Sequence, residues 1–145
     1  MAHTAKFFGK FLSSLANKEI DLDSDTLKVM LCTSSFTPDQ DTHQYKSSVT
    51  NEVTGTGYTA GGATLASVTV AYNGSTNTLT FDAADVSWSA STLTARHAVI
   101  YDSTPGSDAT RPLICYITFD SDISSTAAPF QLIWDSSGIA TMTVS

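Results

Sequence analysis

The sequence predicts an all-β protein: an antiparallel β-sandwich, immunoglobulin-like or jelly-roll-like, carrying one short amphipathic helix at its N-terminus. Three observations predict it. Ser and Thr fill 42 of 145 positions while charged residues reach only 14%, against about 25% in typical soluble domains. Thr packs its β-branch on a pleated surface, and Ser, Asn, Asp and Gly serve turns. Short runs of alternating apolar residues then recur along the chain, broken by turn signals such as Asn73-Gly74 and Pro105-Gly106. Seven or eight such strands suit two packed layers, with a small barrel as the alternative closure. The length fits one domain, 1–145, with no repeat or linker.

The elements follow in order. Phe8, Phe11, Leu12 and Leu15 recur at helical spacing, with Lys6, Lys10 and Ser14 off that stripe, which predicts a helix from about Ala5 to Asn17 within an N-terminal arm 1–18. Its aromatic face either closes the β core or docks on a partner. Thr26–Thr33 is apolar on both faces and reads as a central strand. Residues 34–62 are polar and glycine-rich, long for a loop inside a compact domain, so they form a functional arm or conceal a short strand near Val49–Val53. Leu65–Tyr72 and Thr78–Asp82 flank the Asn-Gly turn. Val86 and Trp88 open a short strand. Thr92–Tyr101 sets Leu93, Ala95, His97, Val99 and Tyr101 on one face. Leu113–Phe119 reads as buried, and Phe130–Trp134 with Ile139–Val144 as a terminal hairpin. Trp88 and Trp134 fall at inward positions, which favours packing over sugar binding.

The formal charge of −7 repels phosphate, so nucleic acid and anionic membranes are disfavoured partners. No apolar run approaches the length of a membrane span and no signal peptide is evident, which points to synthesis in a cytoplasm. Cys32 and Cys115 fall in strands and are expected to be free buried thiols. The acidic run Glu19, Asp21, Asp23, Asp25 misses the calcium-loop pattern at Thr26 and Cys32, so a solvated turn is expected. No Gly-x-Ser-x-Gly elbow occurs. His3, His43 and His97 are scattered, without a metal-ligand spacing. His97 sits mid-strand beside Arg96 and reads as hydrogen-bonded or half-exposed. The expectation is a non-enzymatic chain with no cofactor and no metal.

Four stretches, Lys6-Phe7-Phe8-Gly9-Lys10-Phe11-Leu12, Asp25–Thr33, Phe36-Thr37-Pro38-Asp39-Gln40-Asp41-Thr42-His43 and Val53–Leu65, together resemble a recurrent small virion protein of tailed bacteriophages. Trp88, Ala95–Tyr101 and Ile133-Trp134-Asp135 through Gly138-Ile139 extend the likeness over nearly the whole chain. The resemblance implies a structural role without cofactor or reaction: a head decoration or cement protein that binds the major capsid protein, acts in the virion and forms homo-oligomers. Placement in a tail or head fibre, with host-glycan contact, is the alternative. The residues expected to face a partner are Phe7, Phe8 and Phe11 of the arm and Phe36, Tyr45 and Tyr58 of the long loop.

Overall fold

A computed structural model describes residues 2–145. The fold is all-β, two sheets and one short N-terminal helix. The strands are β1 (Ala2–His3), β2 (Lys6–Phe7), β3 (Leu27–Cys32), β4 (Ala63–Thr64), β5 (Thr69–Asn73), β6 (Thr78–Asp82), β7 (Val86–Asp102), β8 (Leu113–Trp134) and β9 (Ala140–Thr143). The helix α1 is Gly9–Ala16, and a single 3₁₀ turn occupies Lys46–Ser48. The larger sheet runs β1-β8-β7-β3-β4, with β2 also paired to β8; the smaller runs β5-β6-β9.

The helix is shorter than its periodicity predicts. Lys6 and Phe7 join the edge of β8 opposite Tyr116 and Cys115, so their backbone groups are committed to a sheet. Helix α1 begins only after them. Phe8 caps it without a side-chain acceptor, and the Gly9 N–H donates instead to the Gln40 carbonyl at 2.8 Å. At the other end Lys18 takes φ 61°. Glu19 N–H reaches Ser14 O at 2.9 Å and Lys18 N–H reaches Leu15 O at 3.2 Å, a Schellman-type closure built on Lys in place of glycine.

Strands β7 and β8 are the frame. Each replaces two predicted short strands by one continuous strand, of 17 and 22 residues. Irregularities in their pairing bend the ribbon, one of them between Ala95 and His97. Phe119 and Phe130, eleven positions apart on β8, bring their ring centroids to 6.5 Å, although eleven extended residues would span about 36 Å. The bend between Ala95 and His97 also changes which face is which. Leu93 and Ala95 share a buried cluster with Ala98 and Ile100, whereas Val99 and Tyr101 point to the opposite one. Side chains alternate with period two, so an irregularity in the ladder flips all that follows.

Strand β3 is central, as its apolar faces predict, between β7 and β4. Leu27, Val29 and Leu31 enter the larger core cluster with Phe81, Ile139 and Ala140 from the region of the small sheet. Met30 and Cys32 enter a second cluster on the other face with Phe8, Phe36, Val99, Tyr101 and Leu113. The predicted terminal hairpin is not formed: β9 pairs with β6 in the register Phe81↔Ala140 to Thr78↔Thr143. Gly138, at φ 102°, makes the turn that redirects it, and Ile139 N–H bonds Phe81 O at 2.9 Å.

The 34–62 loop is packed against the sheet. Val53 is buried and its N–H reaches Leu31 O at 2.9 Å, while Thr33 N–H reaches Asn51 O at 3.0 Å, so the concealed strand-like piece lies over 51–53 beside β3. Phe36 closes the second cluster from above.

Candidate functional site

The residues expected to face a partner separate into two groups. Phe8, Phe11 and Phe36 are interior, at most 2% exposed. Phe7 is half-buried and stacks on Phe11 at 4.9 Å. The two tyrosines act as pins. Tyr58 Oη accepts from Leu31 N–H at 3.0 Å and donates to Glu52 Oε1 at 2.8 Å; the same carboxylate accepts from Gly61 N–H. Burial is the main reason its phenol pKa is pushed up. Tyr45 Oη donates to Glu19, and Gln44 links it to Ser14. These bonds tie the long loop to β3 and to α1. The six residues therefore do not form a surface patch.

The exposed part of the arm lies elsewhere on the helix. Within two turns, Phe11 and Ser14 face inward, and Leu12 and Leu15 face outward with 50% and 36% of their surface exposed. Ser14 is fully buried and its Oγ accepts from Gln44 Nε2 at 3.3 Å, which compensates for burying a hydroxyl. Beyond Leu15 a groove of about 470 Å³ continues along Lys18, Ile20, Leu22, Val70 and Leu79. Lys6, Lys10 and Lys18 give the first 18 residues three cations and no acid, while the remaining chain holds four cations and fourteen acids. The groove itself is bordered by Lys18 on one hand and by Asp21 and Asp23 on the other, so it is an apolar strip with a mixed-charge rim, a surface suited to docking.

A second concavity, about 510 Å³, lies between the 34–38 segment, Lys6 and the bend of the ribbon, and Arg96, His97, Tyr116 and Thr118 line it. His97 Nδ1 lies 3.0 Å from Thr118 Oγ1, and the ring meets Phe36 edge-on at 5.7 Å. Burial first, then the Arg96 charge, lower its pKa, so the imidazole is neutral at pH 7. Arg96 Nε donates to Asp122 at 2.7 Å. The predicted hydrogen-bonded role of His97 is thus what the geometry shows.

Comparison of the chain with models of protein families, with curated proteins and with solved structures returned no match. Among the described residues no group of three or more His, Cys, Asp or Glu side chains is arranged to hold a metal ion, and no helix is long and apolar enough to cross a membrane. The acidic run forms a self-bonded turn: Asp25 Oδ2 accepts from Asp21 N–H and Asp21 Oδ1 from Asp23 N–H. Cys32 and Cys115 are free and buried. Sequence reasoning missed the outward Leu12–Leu15 face. No local signal in the sequence marked it, because the inward turn of Ser14 rests on Gln44, thirty positions away.

Proposed function

We propose that this chain is a non-catalytic assembly protein of a virion, of the accessory head kind, docking on the major capsid protein through the outer face of α1. The observation that carries the reading is the outward turn of Leu12 and Leu15 on a helix whose one aromatic residue, Phe11, is already used inside. An isolated two-turn helix is marginal in water, yet this one keeps two large apolar side chains in solvent beside an apolar groove. The two sheets, read as facing layers of a β-sandwich with a shared core, supply a rigid platform for that face. Resemblance of the sequence to small proteins of tailed phages supplies the virion assignment.

The test is stoichiometry. In particles purified from the phage that encodes the chain, densitometry should find it in hundreds of copies; tens would move the role to the tail or a fibre, and absence would end the virion reading. A Leu12→Ser/Leu15→Ser variant should keep its melting temperature within a few degrees and lose particle occupancy. Phe11→Ser should instead unfold the domain, at a cost of about 3–5 kcal/mol for an emptied aromatic site.

A further inference from the structure

Strand β5 is an edge without the usual protection. It pairs with β6 on one side only, in an unbroken register from Thr69↔Asp82 to Asn73↔Thr78. Among the described residues, no backbone bond from residues 69–73 reaches beyond β6. Sheet edges are ordinarily blunted by charge, proline, bulges or brevity. The free stretch of β8 beyond β2 has Asp120, Asp122, Pro129 and irregular pairing. Strands β1, β2 and β4 are two residues long. Strand β9 has four residues, and Ala5 N–H bonds Ile139 O just before it starts. Strand β5 has five residues, Thr-Val-Ala-Tyr-Asn, with no charge, no proline and no bulge.

From this edge we infer that β5 is a self-association site, pairing antiparallel with β5 of a second copy about a two-fold axis at Ala71. The sequence of the strand argues for a second copy over any other occupant. Centred on Ala71, the pairing sets Val70 against Tyr72 of the other copy, and Thr69 against Asn73. An aromatic–β-branched pair and a polar pair result, on opposite faces, each made twice. Val70 and Tyr72 lie on the face that carries Leu79 and Phe81, so the two-fold continues an apolar surface across both copies. Tyr72, now 56% exposed, would be covered. Electrostatics point the same way. Two copies of charge −7 repel over most of their surfaces, and an uncharged edge is where they approach at least cost. The pairing is isologous and closes after two copies. It is small, so the dimer is weak and concentration-dependent. This inference does not depend on the virion reading.

The experiment uses the full chain. Light scattering across a concentration series should show a reversible monomer–dimer equilibrium, and hydrogen exchange at residues 69–73 should slow as the dimer fills. Ala71 is exposed, so Ala71→Lys and Ala71→Asp should each keep the wild-type circular dichroism spectrum and melting temperature. Each alone should lose the dimer, because like charges meet at the axis. Mixing the two variants should restore a heterodimer, a recovery that a folding defect would not give. A wild-type chain monomeric at every attainable concentration would overturn the inference. So would dimers that persist in both variants, a mixture that stays monomeric, or an open-ended ladder of species.

Discussion

Asp102 is the residue whose surroundings fit its charge least. It is buried, and its Oδ1 accepts from Thr104 N–H at 2.8 Å while Oδ2 has no partner. Burial raises its pKa, and the neighbouring Asp25 carboxyl raises it further, against the opposing bond from Thr104. A carboxyl that holds its proton more tightly when folded contributes its full stability below the unfolded value near 4, and loses it as pH rises through the folded value. Several turn aspartates run the other way. Asp39 and Asp135 are lowered by side-chain bonds from Thr42 and Ser137, and their contribution disappears as pH falls. The comparison of wild type with Asp102→Asn isolates the buried group. The amide keeps an acceptor for Thr104 and offers a donor where Oδ2 is now unpaired. Asp102→Asn should be more stable at pH 7 by about 1 kcal/mol, the scale of one satisfied buried polar group. The two proteins should converge near pH 3. Urea unfolding at both pH values checks it, and a gain of equal size at both would exclude a titrating origin.

At the scale of elements, the approach of β4 to β3 depends on one glycine. Gly62 has φ 79°, and a Cβ there would be driven into the Val29 carbonyl, with Met30 Cα 2.7 Å away. Both obstacles are backbone, so no side chain can rotate aside. The turn is also held from outside, by Tyr101 Oη donating to Gly61 O at 2.8 Å and by Glu52 accepting from Gly61 N–H. Gly62→Ala should destabilise the fold by about 2 kcal/mol or more, combining positive-φ strain with displacement of β4; Gly106→Ala, with nothing nearby and no positive φ, should be nearly silent. A melt of the two variants side by side measures the difference. The same elements mark what the sequence made legible. The span Thr78–Asp82, the two-faced Leu27–Cys32 and the turn after Asn73 come from local alternation and turn chemistry, and they stand where the pattern set them. The continuity of β7 and β8, the face change after Ala95 and the pairing of β9 with β6 depend on partners far along the chain. The inward turn of Ser14 is of that second kind, so the outward helix face was hidden from periodicity.

For the whole molecule, the question is whether its two cores behave as one. They lie on opposite faces of the larger sheet and share β3 and β7 as backbone. The two thiols report on them separately. Cys115 belongs to the cluster with Phe119 and Trp134, and Cys32 to the cluster with Phe8 and Phe36. Neither exposes any surface. Burial, with a smaller push from Glu52, raises Cys32 to about 12, and burial raises Cys115 also, so neither holds appreciable thiolate at neutral pH. Native protein should therefore resist Ellman's reagent at both positions. The two faces differ in what covers them. The Cys115 cluster includes Phe119, Phe130 and Trp134 of β8, and the Cys32 cluster includes Phe36 of the 34–62 loop. If the Tyr58–Glu52 and Tyr45–Glu19 pins make that loop part of the cooperative unit, Cys115→Ser and Cys32→Ser variants should label their remaining thiols at the same rate under mild denaturant. That common rate should equal the global opening measured by fluorescence. Faster labelling of Cys32 would mean that the loop lifts from the sheet while the rest of the fold stays closed. It would place the loop among the low-stability segments and leave the frame of β7 and β8 as the unit that unfolds last.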